Sequence, residues 1–156
     1  MDIKITRMKK TDLPEVMELE KESFTWPWTK RMFTEELDRN FSYILLARDG
    51  EGVLQGFICF WLMQGEADIL NVAVRDKARR KGVGTALAVA TFKFGSERGV
   101  TSATLEVREK DASAVAFYES LGFVRAGLRK GYYESPRDNA VIMWLYDTSK
   151  VIEKSP

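Results

Sequence analysis

Histidine is missing from this 156-residue sequence, and cysteine occurs only once. The lack of histidine excludes Ser-His-Asp and Cys-His catalytic arrangements and removes the commonest zinc ligand. The single cysteine, Cys59, lies in the apolar run 56–61, where a small buried side chain is expected more often than a nucleophile. Acid and base chemistry must therefore use carboxylates, tyrosine, lysine or water, and we expect no metal requirement.

The sequence also lacks a charge excess and a long hydrophobic run. Its 24 Lys and Arg balance 23 Asp and Glu, so no global field attracts nucleic acid or an anionic membrane. Charges interrupt every apolar stretch before the roughly 20 residues that span a bilayer, and residues 1–10 lack an apolar signal-peptide core. We expect a cytoplasmic protein without nucleic-acid or membrane partners, and the sequence leaves the oligomeric state open.

The alternation of apolar and polar residues predicts one domain over residues 1–148 and a frayed tail over 149–156. Strands are predicted at 3–8, 43–48, 53–62, 67–74, 102–108, 123–133 and 140–146. Helices are predicted at 12–22 with Thr11 as N-cap, from Thr29 to 38, at 83–98 ended by Gly99, and at 112–121 closed by Gly122. This order predicts an α/β fold, a mixed sheet with helices on both faces, in which parallel strands flank the helix at 83–98.

The most informative segment joins the strand ending in Val72-Ala73-Val74 to the helix that begins near Val83. Gly82 and Gly84 leave the backbone accessible, and the free N–H groups at a helix start attract phosphate. Basic side chains add positive charge, and each charge-assisted hydrogen bond contributes about 1.5–3 kcal/mol. These are Arg75, Lys77, Arg79, Arg80 and Lys81. A solvated basic loop before an ordinary helix is the alternative interpretation.

Two further residues are candidates for chemistry. Glu106 is a carboxylate within the otherwise apolar strand segment 104–107, where it needs either solvent or a function. Tyr118 lies on the helix before a Leu-Gly-Phe turn, where aromatic residues usually pack in the core and only the hydroxyl can react. The residues alone leave both alternatives open.

The spacing Arg79-x-x-Gly82-x-Gly84, the order of elements around it and the segment 117–123 resemble the GNAT acetyltransferase superfamily over nearly the whole chain. The resemblance implies the GNAT acyl-CoA N-acyltransferase fold and an N-acetyltransferase that uses acetyl-CoA. It implies that the backbone of Val72, Ala73 and Val74 binds the pantetheine arm. The pyrophosphate would be held by the loop and helix start, namely Arg79, Arg80, Lys81, Gly82, Val83, Gly84 and Thr85.

Four segments, 27–29, 105–108, 117–123 and 129–133, are similar to those of the bacterial members that acetylate the N-terminal alanine of a small-subunit ribosomal protein. This resemblance implies that Glu106 is the general base, acting through water, and that Tyr118 is the general acid. It implies a protein N-terminus, that of a ribosomal protein, as the acceptor, with Tyr132 and Tyr133 lining its slot. Transfer to a small-molecule amine or a lysine, and a non-catalytic acyl-CoA-binding module, remain alternative hypotheses.

Asp111 departs from the family pattern, in which an asparagine at this position contacts the cofactor. Asp111 is therefore either a cofactor contact or simply the N-cap of the helix that follows. The loop Trp26-Pro27-Trp28 is a further candidate for the acceptor slot, although core packing explains these aromatics equally well.

Overall fold

The computed structural model describes residues 1–154 and contains a seven-stranded sheet. The strands are β1 (Lys4–Arg7), β2 (Ser42–Arg48), β3 (Leu54–Met63), β4 (Glu66–Val74), β5 (Ser102–Arg108), β6 (Val124–Glu134) and β7 (Arg137–Leu145). The helices in this range are α1 (Leu13–Ser23), α2 (Lys30–Asp38), α3 (Val83–Ser96), α4 (Ala112–Ser120) and α5 (Ser149–Ile152).

The strand order is β1-β2-β3-β4-β5-β7-β6, and α3 connects the parallel neighbours β4 and β5. The other neighbouring strands run antiparallel. A parallel pair requires a crossover connection, which a helix provides. The predicted mixed sheet, with parallel strands on either side of the central helix, is confirmed.

Two hydrophobic cores lie on opposite faces of the sheet, as the predicted arrangement of helices on both faces requires. One core contains Leu87 and Phe92 of α3 and the inward side chains of β5 and β7, with Phe117 and Tyr118 of α4 packed against it. The other contains Leu19 of α1 and Phe33 of α2. Cys59 is fully buried in this second core, as predicted.

The ends of the helices follow the predicted signals in most places. The Thr29 side chain caps α2 by accepting a hydrogen bond from the Met32 N–H at 3.2 Å, and Gly122 follows α4 with φ of 102°. The predicted Thr11 cap is wrong because Thr11 lies in a 3₁₀ turn and α1 begins at Leu13.

The expectation of a frayed C-terminal tail is wrong for the segment that forms α5. Val151 is completely buried against the α3 side of the sheet, and its neighbour Ile152 packs against the same core, so two apolar side chains anchor the turn. Residues 155 and 156 of the predicted tail lie outside the described range. Within residues 1–154, the helices are all too short or too polar to cross a bilayer.

A β-bulge interrupts β4 at Leu70. Cys59 and Phe60 are consecutive in β3, but they pair with Asn71 and Ile69, so Leu70 is an extra residue in β4. The pairs between β4 and β5 run from Glu66–Ser102 to Ile69–Leu105, which is the first half of β4 only. The second half of β4, residues 72–74, is therefore left to line a pocket.

Candidate active site

One pocket of about 440 Å³ brings together the elements that the sequence singles out. The second half of β4 forms one wall, the start of α3 forms the end, and α4 forms the opposite wall. Eleven of the predicted site residues line it, namely Val72, Ala73, Val74, Arg79, Arg80, Gly82, Val83, Gly84, Thr85, Asp111 and Tyr118. The four that do not line it are Lys81, Glu106, Tyr132 and Tyr133.

The start of α3 presents backbone N–H groups to this pocket. The first helical hydrogen bond runs from the Ala86 N–H to the Gly82 carbonyl, at 2.9 Å. The amides of Val83, Gly84 and Thr85 precede it and have no acceptor within their own helix. Together with the positive end of the helix dipole, they form a site suited to a phosphate group.

The two glycines of the motif serve different purposes. Gly82 has φ of 85°, and a β-carbon at this position would have no atom within 4 Å, so its requirement is conformational. A β-carbon on Gly84 would lie 3.1 Å from Cζ of Phe117, so Gly84 lets the Phe117 ring pack against the helix. The sequence suggests that both glycines let a ligand approach the backbone, but this does not fully explain either of them. Gly82 is needed for the conformation of the turn, and Gly84 is needed for the packing of α4.

The basic residues are arranged unequally around the opening. Arg79 lines the pocket and pairs with Asp76 at 3.3 Å, with both side chains largely exposed. Arg75 turns away, donating to the Leu54 carbonyl at 3.1 Å and to Glu22 at 3.1 Å. The positive charge available to a ligand in this pocket is therefore supplied by Arg79 and Arg80 rather than by the entire basic run.

Tyr118 places a phenol in the pocket. Its ring packs on Phe117 and Phe123, with centroids 5.2 and 5.5 Å away. Burial, with a smaller effect of the Asp111 charge, raises the pKa of Tyr118 above its ordinary value, so the hydroxyl is protonated at neutral pH. Among residues 1–154 no protein group forms a hydrogen bond with this hydroxyl, which leaves it available to a ligand.

Asp111 has the capping role that the sequence offered as one alternative. Its Oδ1 accepts a hydrogen bond from the Ala114 N–H at 3.1 Å, as an N-cap does. Asp111 also lines the pocket, so capping does not remove it from ligand contact.

Glu106 lies on the opposite face of the sheet from Tyr118. Its neighbours Leu105 and Val107 point into the core beneath α3 and α4, so Glu106 points away from that core. Its Oε2 lies 3.2 Å from Nε of Arg129. Glu106 and Tyr118 thus flank the region beyond the last β4–β5 pair from two sides.

A second carboxylate, Asp68 of β4, lies beside Glu106. Burial, with smaller effects of the Glu106 and Glu66 charges, raises the pKa of Asp68 to about 6. The sequence reasoning missed Asp68, although an aspartate within the apolar segment 67–70 is a signal of the same kind as Glu106.

Tyr132 and Tyr133 lie near the end of β6, with their ring centroids 5.2 Å apart. The guanidinium of Arg108 stacks over the Tyr133 ring at 4.1 Å, and Glu106 is among the charges that act on the Tyr133 hydroxyl. Both tyrosines therefore belong to the Glu106 side of the sheet and not to the pocket.

Sequence reasoning also missed residues of the pocket itself. Ser23 and Phe24, at the end of α1, line it together with Phe117. Phe24 belongs to the aromatic cluster 24–28, which is a signal in the sequence, whereas the candidate acceptor loop begins only at Trp26.

A mixed sheet with a bulged strand, and a glycine-bounded helix start facing that strand across a pocket, define an acyl-group transferase of the N-acetyltransferase class. The model of the Acetyltransferase (GNAT) family matches residues 13–123, and the chain belongs to this family.

Proteins of known name are similar over almost the whole chain. The [ribosomal protein bS18]-alanine N-acetyltransferase of Escherichia coli strain K12 is 33% identical over 143 residues, which cover 90% of this chain and 95% of the relative. The enzyme of the same name from Haemophilus ducreyi is 31% identical, covering 86% and 94%.

Solved structures agree with the fold. The crystal structure of the ribosomal-protein-S18-alanine N-acetyltransferase from Escherichia coli has a TM-score of 0.83 at 32% identity, and covers 92% of each chain. The structure of Ard1 from Thermoplasma volcanium has a TM-score of 0.83 at 29% identity, covering 93% of this chain and 97% of its own.

Proposed function

We propose that this protein transfers the acetyl group of acetyl-CoA to the N-terminal α-amine of a protein, and that its acceptor is the N-terminal alanine of ribosomal protein bS18. The observation that carries the proposal is one pocket lined by three elements: the half of β4 that does not pair with β5, the start of α3 and the Tyr118 phenol. The similarity to two enzymes named for this acceptor supports the choice of amine.

The pocket fits the donor substrate in both shape and chemistry. The amides of Val83, Gly84 and Thr85, with Arg79 and Arg80 beside them, are suited to a pyrophosphate. The backbone of residues 72–74 has groups free of β5, and these can pair with the amides of an extended pantetheine arm. The thioester would then lie where β4 and β5 part, between Tyr118 and Glu106.

The chemistry follows from the positions of these two residues. Glu106, acting through water, takes a proton from the acceptor ammonium, and the neutral amine nitrogen attacks the thioester carbonyl carbon. The new C–N bond replaces the C–S bond, and the departing sulfur takes the proton of the Tyr118 hydroxyl. The nitrogen that forms the amide releases its extra proton to water, and the Tyr118 phenolate regains a proton from the same solvent. The raised pKa of Tyr118 means that the phenol still holds its proton when the sulfur leaves.

An α-amine suits this site better than a lysine. The pKa of an α-amine is about 8 and that of a lysine about 10.4, so the neutral nucleophile costs roughly 3 kcal/mol less at a chain terminus. The exposed Tyr132, the half-buried Tyr133 and Arg108 lie on the same side as Glu106 and offer aromatic and polar contacts to an extended peptide. We assign Tyr132 and Tyr133 to the acceptor slot on this basis.

The test is mass spectrometry of peptides incubated with acetyl-CoA and the protein. A peptide with the bS18 N-terminal sequence should be acetylated at its α-amine, whereas the same peptide with a blocked terminus and a free lysine should not. Glu106→Gln and Tyr118→Phe should each reduce turnover, and Tyr146→Phe, an exposed tyrosine outside the pocket, is the matched control. Transfer only to lysine or to free polyamines would refute the proposed acceptor.

A further inference from the structure

Glu20 is a buried carboxylate that the proposed chemistry does not use. It lies in the last turns of α1 with only 1% of its surface exposed. It has no ion-pair partner among the described residues, in contrast to Glu36, the other buried glutamate, which pairs with Arg39. Burial raises the pKa of Glu20, and its two hydrogen bonds oppose that shift. A buried carboxylate without a cation is unfavourable, so its contacts require a functional explanation.

Both carboxylate oxygens bind segments that border the proposed site. Oε2 accepts a hydrogen bond from the Trp28 N–H at 2.8 Å, in the loop between α1 and α2. Oε1 accepts one from Nδ2 of Asn71 at 2.8 Å. Asn71 directly follows the bulge residue Leu70 and precedes the pocket wall at Val72.

The position of Asn71 makes its contact important for the pocket. The bulge puts Leu70 and Asn71 on the α1 side in succession, since Leu70 packs in the core there and Asn71 reaches Glu20. A contact at the bulge fixes where the second half of β4 lies relative to α1. The same carboxylate fixes the backbone at Trp28, four residues beyond Phe24, which lines the pocket.

We infer that Glu20 is a positioning residue, whose two hydrogen bonds hold the bulged half of β4 and the 24–28 loop in the geometry that binds the donor and the acceptor. The inference rests on the proposed function for the identity of the acceptor. The effect of Glu20 on CoA binding depends only on the pocket. Glu20 touches neither substrate and acts through Asn71 and Trp28.

Glu36 provides a matched control. It is also a nearly buried glutamate in a helix on the same face of the sheet, with 4% exposure. Its partners are the Trp61 indole N–H, at 3.0 Å, and Arg39, and neither lines the pocket. Replacing either glutamate by alanine therefore removes a buried carboxylate, but only Glu20→Ala releases segments of the site.

The experiment measures CoA binding by calorimetry and steady-state kinetics with an alanine-first peptide, alongside melting temperatures. Loss of a buried charged hydrogen bond corresponds to roughly a tenfold effect or more, so Glu20→Ala should raise both the Kd for CoA and the KM for the peptide about tenfold. Glu36→Ala should lower the melting temperature while leaving both constants within about twofold of those of the unmodified protein. Glu20→Gln should recover both constants, because its oxygen can accept from Trp28 while its amide donates to the Asn71 oxygen.

Asn71→Ala is the second variant, and it keeps the Trp28 contact. It should weaken CoA binding in the same direction, and its effect should be less than additive with that of Glu20→Ala. Equal effects of Glu20→Ala and Glu36→Ala on CoA affinity, or no effect of Asn71→Ala, would overturn the inference. If the protein acetylates no α-amine, the proposed function is refuted. The effect of Glu20→Ala and Asn71→Ala on CoA affinity still tests the inference, because CoA titration needs no acceptor.

Discussion

Substitution of Gly82 by alanine isolates the conformational requirement of the phosphate-binding turn. Gly82 has φ of 85°, and a β-carbon there would meet no atom within 4 Å, so strain is the only cost. An L-residue in the left-handed region costs about 1–2 kcal/mol, which corresponds to a factor of roughly 5–30 in an equilibrium constant.

That free energy must be lost in one of two measurable places. If the turn keeps its shape, the free energy of unfolding falls by the whole amount, and the melting temperature drops by roughly 2–8 °C for a chain of this length. If the turn relaxes to negative φ, stability is preserved, but the amides that follow Gly82 reorient and the Kd for CoA rises instead. Calorimetric titration with CoA and thermal melting of the same sample measure both parts.

Gly84→Ala is the internal comparison. Its β-carbon would lie 3.1 Å from the Phe117 ring, which must shift by a few tenths of an ångström. Alanine is also a better helix former than glycine, which offsets part of this cost. We therefore expect Gly84→Ala to be the milder change. A Gly82→Ala protein with both normal melting and normal CoA affinity would refute the conformational argument.

Three further outcomes are expected. Tyr118→Phe keeps the aromatic packing, so the melting temperature should be unchanged while kcat falls about 10²–10⁴-fold. A fall in kcat that is accompanied by a clear fall in melting temperature would contradict the general-acid role. Asp68 has a pKa raised to about 6, so its protonation stabilises the fold fully below the unfolded pKa near 3.9 and this contribution is lost as pH rises through 6. The melting temperature of Asp68→Asn should therefore rise relative to that of the unmodified protein between pH 4 and 7. Val151→Ala should destabilise the protein by about 2 kcal/mol, whereas an unchanged melting temperature would show that α5 contributes nothing.

Most of the fold could be predicted because each element has a local signal. Helical spacing in 83–96 and the turn at 49–52 identify α3 and the β2–β3 hairpin, and Thr29 and Gly122 mark helix ends through their own side chain or φ value. The α5 turn could not be predicted, since its main apolar anchor, Val151, is buried by tertiary contact with the rest of the core.

The parts of the site that depend on local backbone conformation could be predicted from the sequence. The parts that depend on how the strands pair in the sheet were harder to predict. The turn at Gly82 carries its conformational requirement in the sequence, and the pocket walls follow from the order of elements. The bulge at Leu70 has no such signal, because apolar residues of segment 67–74 fall on both faces of the strand and hide its alternation. The separation of Glu106 from Tyr118 by the sheet depends on which face of β5 meets α3, and that also is a tertiary property.

The extra residue in β4, Leu70, is not required for the sheet to form, but it shapes the pocket. Ile69 and Asn71 already occupy consecutive pairing positions opposite β3, so a chain shortened by Leu70 alone would keep every later side chain on its present face and form a more regular ladder. We expect such a deletion to extend the pairing of β4 with β5 and to narrow the pocket. The length of this strand therefore matters as well as its side chains, and we expect a one-residue deletion there to weaken ligand binding more than it destabilises the sheet.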